Sequence, residues 1–268
     1  MSFLKKIKNI KEEEIKYHSS KQNITELKEI CASSPPLLKK SFSESLREDK
    51  SLSIIAEVKQ ASPSRGLLVS STFDPSKIAL GYEKSGAKAI SILTDKDHFK
   101  GDFEHLKKAS KSVKLPCLQK DFFIDDYQVY QAKTFGASAI LLIVKLLSFE
   151  QLQHLHGLAK SLDLDVLVEI HGIDELAMIE DLEGIEVLGI NNRNLDTLAV
   201  DVNQCFEIKK SIPPIKNLIL IAESGLETVD DFKKVHDSQF DGALVGSALM
   251  STNDPAQKLS HFIKVLKA

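Results

Sequence analysis

The chain lacks tryptophan altogether, carries only three cysteines, and contains no apolar stretch long enough to cross a bilayer. Each shortage removes a class of explanation. Cys31, Cys117 and Cys205 are odd in number, widely spaced and without any CxxC pair, which argues against a disulfide framework and for a reducing, cytoplasmic setting. Cys117 lies inside an apolar run and reads as a small core residue before it reads as a nucleophile. The opening MSFLKKI has no signal-peptide core, and the apolar stretch 138–147 covers about half a bilayer and is interrupted by Lys145. Neither sign of charge dominates, with 35 Lys plus Arg against 38 Asp plus Glu, so neither nucleic acid nor a membrane is expected as a partner. GxGxxG, GxxxxGK[ST] and GxSxG are all missing, which removes dinucleotide, ATP and serine-hydrolase chemistry. The eight histidines show no ligand spacing. His154 and His156 are two apart on an expected helix and face different ways, and His171 has no second ligand at a recognisable interval. The expectation is a reaction that uses no cofactor and no metal, in a protein that requires no protein partner.

What is present is a rhythm of eight apolar runs within 268 residues. Strands are expected at 53–58, 88–93, 115–119, 138–144, 165–169, 186–190, 218–222 and 241–245. They are apolar on nearly every residue, the pattern of parallel strands covered on both faces. Helix punctuation lies between them. Asp74-Pro75 and Asp254-Pro255 are N-caps followed by proline, Asp125 or Asp126 caps a helix at 127–135, and Ser148/Gln151 and Thr228/Asp231 have capping-box spacing. Strand and helix alternating eight times predict an α/β fold, a (β/α)8 TIM barrel. The chain is expected to form one domain, 1–268, of which 1–50 is an N-terminal helical extension with helices at 3–19, at 23–32 and from Ser41. Pro35-Pro36 breaks the second helix. Lys5, Lys6, Lys8, Lys11 and Lys16 read as a solvated face, and an extension of this length can cover part of a barrel mouth.

In a parallel barrel all strand C-termini meet at one rim, so groups that end different strands share one pocket. Glu57 and Lys59 end the first strand two residues apart and so face one way. Lys120 and Glu169 end the third and fifth. One ExK alone is more often a surface ion pair, but four charges at the ends of apolar strands are poorly explained as surface decoration. Gln60 to Gly66 is a small-residue loop suited to covering a substrate, with Gly66 as hinge. Glu223-Ser224-Gly225 and Gly246-Ser247 follow the seventh and eighth strands, where barrels often bind phosphate, although each glycine can also serve only a tight turn. Asn191-Asn192-Arg193-Asn194 follows the sixth strand. Asparagines there commonly form turns, while the Arg offers a planar fork for a carboxylate.

Several stretches together resemble the indole-3-glycerol-phosphate synthase family of tryptophan biosynthesis. They are 55–66 (IAEVKQASPSRG), 89–94 (AISILT), 119–130 (QKDFFIDDYQVY), 136–144 (GASAILLIV), 167–171 (LVEIH), 189–195 (GINNRNL), 222–226 (AESGL) and 244–250 (LVGSALM). They run from first strand to last in the family's order, and the chain has no room for the second barrel to which that family is sometimes fused. The resemblance implies a carboxy-lyase reaction. In it 1-(2-carboxyphenylamino)-1-deoxyribulose 5-phosphate closes to indole-3-glycerol phosphate with loss of carbon dioxide and water. It implies Lys120 as general acid, Glu169 as base, and Glu57 and Lys59 as groups steering charge at the anilino nitrogen and carboxylate. Asn191, Arg193 and Glu223 would bind substrate, Phe122 and Leu195 would wall the benzene ring, and Ser62, Ser224, Gly225, Gly246 and Ser247 would hold the phosphate. Two positions depart from the family pattern. Arg65 replaces a frequent lysine, and Asp102 replaces a frequent serine and is expected to alter the loop after the second strand. A phosphoribosyl isomerase barrel or a non-catalytic phosphate-binding barrel are the rival readings. The first leaves the Glu57, Lys59, Lys120 and Glu169 set unexplained.

Overall fold

Valine, isoleucine and leucine on consecutive residues can be buried from both sides only in a strand sandwiched between helices and a barrel interior. The computed structural model describes residues 3–33, 40–48, 51–63, 65–69 and 73–266, and the apolar runs become strands β1 (Ser53–Val58), β2 (Ala89–Leu93), β3 (Cys117–Lys120), β4 (Ala139–Ile143), β5 (Asp165–Ile170), β6 (Val187–Asn191), β7 (Ile219–Glu223) and β8 (Gly242–Val245). All eight pair in parallel with their sequence neighbours, and β8 returns to β1 to close the barrel. Register then aligns the strand ends. Glu169 lies beside Gly189, Asn191 beside Glu223 and Leu93 beside Lys120, so the C-terminal residues form one rim.

The helix caps form as their sequences dictate. Asp74 Oδ1 accepts the Ser76 N–H at 3.0 Å ahead of Pro75–Lys84. Asp125 caps Asp126–Thr134, and reciprocal boxes start Phe149–Ser161 at Ser148 and Val229–Asp237 at Thr228. Each cap contributes about 1 kcal/mol. Asp102 is one of them: its Oδ1 accepts the Glu104 N–H at 2.8 Å and starts the helix Phe103–Ser112. The departure from serine therefore keeps a residue type that caps helices. Between Gln60 and the next helix, Ala61–Ser62 pairs antiparallel with Gly66–Leu67 in a short hairpin. Ser64, inside the expected covering loop, lies outside the described residues.

The extension folds as helices α1 (Phe3–Lys21), α2 (Ile24–Ser33) and α3 (Phe42–Leu46), the last with a Ser41/Glu44 capping box. Pro35-Pro36 lies outside the described residues. One expectation fails here. Lys5, Lys6 and Lys16 are exposed, but Lys11 is 1% exposed and belongs to the buried face with Leu4 and Ile7. Residues 4, 7 and 11 share one helical stripe, so the lysine is carried inward with its apolar neighbours. Its Nζ lies 2.8 Å from Glu14, from Asp95 beyond β2 and from Asp121 beyond β3. Burial alone would push the ammonium down, but these carboxylates outweigh it and raise its pKa. Among the described residues no helix is long and apolar enough to cross a membrane.

Candidate active site

Residues two apart on a strand share a face, which sends Glu57 and Lys59 together into the barrel mouth. Lys59 Nζ stands 2.7 Å from Glu57 Oε1. Gly246, just beyond β8, makes this possible, because a Cβ there would collide with the Glu57 carboxylate and crowd Lys59 Nζ. Across the mouth, Lys120 Nζ lies 2.8 Å from Glu169 Oε2 and 3.2 Å from Glu223 Oε2. Here Gly189 supplies the room, since a side chain at that position would occupy the place of Glu223 Oε1.

Three carboxyl groups and two ammonium groups thus share a dry site, with Glu57, Glu169 and Glu223 each no more than 4% exposed. Burial opposes ionisation of Glu169 and Glu223, and local charge sends the two in opposite directions. For Glu169, burial is outweighed by the Lys120 ammonium and by His171, whose Nε2 lies 3.1 Å from Glu169 Oε1, and the carboxyl is held well below its usual range. For Glu223, burial pushes the carboxyl well above that range; Lys120 opposes this, and the neighbouring Glu169 charge reinforces it. Lys120 itself is pushed down by burial but raised overall by Glu169, Glu223 and Glu57. The surroundings therefore favour the ammonium at Lys120 and the carboxylate at Glu169, and they oppose ionisation of Glu223.

The loop after β6 divides its labour. Asn191 Oδ1 accepts the Arg193 N–H at 2.9 Å, and Arg193 Nη1 donates to the Leu198 carbonyl at 2.9 Å, fixing a half-buried guanidinium at the cavity wall. Asn192 turns away from the mouth, accepting the Cys205 N–H at 2.9 Å and donating to the Ser224 carbonyl at 3.1 Å. Asn194 is a turn former, accepting from Asp196 and Thr197. Ser224 has φ 64°, a conformation costly outside glycine, and Gly225 follows at φ 80°.

A cavity of about 510 Å³ opens at this rim, and every residue to which the resemblance gives a role lines it: Glu57, Lys59, Ser62, Lys120, Phe122, Glu169, Asn191, Arg193, Leu195, Glu223, Ser224, Gly225, Gly246 and Ser247. Size and a mixed polar and apolar lining suit a small phosphorylated ligand. The sequence reading missed other parts of the wall. Phe3 of α1 and Phe99 stand on the apolar side, so the extension does cover part of the mouth. Arg65 forms an ion pair with Glu227 that ties the loop after β1 to the loop after β7. His171, which spacing left without a partner, has one in Glu169, and the same two-residue rule that paired Glu57 with Lys59 would have found it. Its neighbours His154 and His156 do face apart, one exposed beside Asp126 at 2.7 Å and one buried. Among the described residues no group of three or more His, Cys, Asp or Glu is arranged to hold a metal ion.

Comparison with known proteins gives the same reading over nearly the whole chain. The family model described as indole-3-glycerol phosphate synthase matches residues 4–262. The indole-3-glycerol phosphate synthase of Acinetobacter baylyi is 38% identical over 266 residues, 99% of this chain and 97% of that protein. Those of Leptospira interrogans and Koribacter versatilis are 43% and 41% identical, covering 88% and 81% of this chain and 91% and 82% of their own lengths. Among solved structures, KGPDC from Streptococcus mutans superposes with a TM-score of 0.61 at 12% identity, covering 81% of this chain and 98% of that one. Thiamine phosphate pyrophosphorylase from Pyrococcus furiosus superposes at 0.59 and 16% identity, covering 81% and 96%, and both likenesses speak for the barrel alone. With the family model spanning first strand to last and full-length relatives near 40% identity, the chain belongs to the indole-3-glycerol phosphate synthase family, carboxy-lyases of tryptophan biosynthesis.

Proposed function

We propose that Lys120 is the general acid and Glu169 the general base in closing 1-(2-carboxyphenylamino)-1-deoxyribulose 5-phosphate to indole-3-glycerol phosphate. The observation that carries this assignment is the pair itself: a buried ammonium and a buried carboxylate, 2.8 Å apart, each held in its charged form at the floor of one cavity. Environments that push two groups apart in proton affinity assign the acid and the base.

The phosphate sits among Ser224, Gly225, Gly246, Ser247 and Ser62, and the benzene ring against Phe122 and Leu195. Arg193 and Lys59 take the carboxylate while Asn191 and Glu57 fix the chain between the two ends. Lys120 gives its proton to the ribulose carbonyl oxygen as the ring carbon attacks. Carbon dioxide then leaves and its bonding electrons restore the benzene ring. In the last step the new hydroxyl departs as water on a second proton given by Lys59, which recovers it from solvent, and Glu169 removes a proton from the adjacent carbon. Glu169 can return that proton to Lys120 across their hydrogen bond. Glu223, whose burial favours its protonated form, faces the substrate hydroxyls as a hydrogen-bonding group. A positioned acid or base contributes about a hundred- to ten-thousand-fold in rate.

The docked extension makes residues 1–268 one domain in this reading, and three widely spaced cysteines, too few for a disulfide framework, suit the cytoplasm. The ligand is a small phosphosugar, and nothing further is required as a partner. Incubation of the purified protein with the substrate, followed by indole absorbance and fluorescence, tests the activity directly, and a chain without tryptophan gives a low background. Lys120→Ala is expected to lower kcat by about a thousandfold or more with little change in KM, whereas Arg193→Ala mainly raises KM. Equal, modest effects from both would remove the assigned roles.

A further inference from the structure

The base has two oxygens, and the mechanism above uses the contacts of only one. Lys120 holds Glu169 Oε2, while Oε1 lies 3.1 Å from His171 Nε2. His171 is two residues further along β5, so strand geometry points it the same way as Glu169. It is 7% exposed and is held at more than its ring. Its backbone N–H donates to Glu175 Oε1 at 3.1 Å, and its carbonyl accepts a hydrogen bond from the Gln204 side chain. Glu175, itself buried, also places Oε2 4.0 Å from His171 Nδ1. A histidine gripped in this way presents its far nitrogen in one direction, and that direction is the carboxylate of the base.

We propose that His171 is a positioning residue for the general base, holding the Glu169 carboxylate by its Oε1 from the side opposite Lys120, and that Glu175 and Gln204 serve to aim it. The inference rests on the reading of Glu169 as base. A carboxylate contacted at both oxygens has less freedom to rotate when the substrate arrives, and a misplacement of about 1 Å costs roughly a hundredfold in rate. The contact also favours the ionised form of Glu169, which is the form that accepts a proton. Glu169 is faced by Lys120 from β3, by Glu223 from β7 and by His171 from its own strand; Glu175 faces His171, and Asp174 and Lys145 bear on Glu175. Burial raises the Glu175 carboxyl to about 7, despite the opposing influence of His171, so its charge beside the ring changes around neutral pH.

The test compares His171→Ala with His171→Gln, because glutamine keeps an N–H donor of similar reach and loses the imidazole. His171→Ala should lower kcat by about ten- to a hundredfold with KM within about twofold. It should also move the acid limb of the kcat profile up by about one pH unit, because Glu169 then loses a group that favours its ionised form. His171→Gln should recover most of the rate and return the limb toward the wild-type position. A histidine that merely fills space would lower kcat equally at all pH values and leave the limb in place, and that outcome overturns the proposal. Should His171→Ala fail to fold, Glu175→Ala against Glu175→Gln carries the same comparison, the alanine moving the limb and the glutamine not. Identical limbs for those two variants overturn the proposal as well. Glu169→Gln separates the layers: full activity there removes the base assignment itself, whereas loss there with an unmoved limb in His171→Ala removes only this inference.

Discussion

At the scale of single residues, the most exacting position in the mouth is a glycine with no chemistry of its own. Gly189 lies on β6 beside Glu169, and a Cβ at that site would collide with Glu223 Oε1 and press Leu167 Cδ1 at 3.3 Å. Gly189→Ala should therefore displace Glu223 from Lys120 and lower kcat by roughly ten- to a hundredfold, at a stability cost of about 1–3 kcal/mol from overpacking. Steady-state kinetics beside a thermal melt checks both parts, and a variant with wild-type kcat would show that Glu223 can leave Lys120 without consequence. The need for glycine here was not legible in the sequence, whereas Glu57 and Lys59 were. An i, i+2 pair on one strand fixes its own geometry. The Gly189 to Glu223 contact depends on how two strands sit in register across a closed barrel, which the local pattern does not specify. Lys120 and Glu169, 49 positions apart, became legible only once a shared rim was assumed.

At the scale of elements, strand positions were readable because continuous apolar runs admit few alternatives, and the caps were readable because each pairs residues two or three apart. The extension was readable as helices able to cover part of a barrel mouth, while the residue that fastens it there was not. Charge pattern made Lys11 one of five solvated lysines, and only the stripe it shares with Leu4 and Ile7 gave a hint of burial. Its ion pairs bolt α1 to the loops after β2 and β3, directly beside Lys120. Lys11→Met removes the cation that the Asp95 and Asp121 carboxylates share, both almost fully buried, and leaves them only the hydrogen bonds from His98, Thr94 and Phe122. Breaking a buried pair from one side costs about 3–5 kcal/mol, so denaturant unfolding should show a loss of that order. Because Lys11 and Asp121 act as one unit, adding Asp121→Asn to Lys11→Met should cost less than the sum of the single changes. Additive losses would mean that the two groups are not energetically joined and that α1 is held by its apolar face alone.

At the scale of the whole molecule, buried carboxyl groups at both ends of the barrel set a limit on stability as pH changes. The groups fall into two sets. Asp165 and Glu169 lie below their usual values, Asp165 because the Ser43 N–H and Lys160 outweigh its burial, so their contribution is present at neutral pH and is lost as acid protonates them in the fold. Glu175 behaves oppositely, since burial raises it from 4.5 to about 7. Between those values the folded chain holds a proton that the unfolded chain releases, so stability declines as pH rises through this window and the full cost is present above it. For a group this well buried the cost is about 2–3 kcal/mol. Glu223 adds a cost of the same sign, as expected where carboxyl groups are gathered for catalysis and not for stability. Glu175→Gln keeps an acceptor for the His171 N–H and removes the titration. Its melting temperature should match wild type near pH 5 and exceed it by several degrees at pH 8, roughly 2–4 °C for each kcal/mol in a chain of this size. A difference that stays constant from pH 5 to pH 8 would mean that Glu175 titrates as an ordinary surface carboxylate, and that the fold bears no such cost beside Glu169.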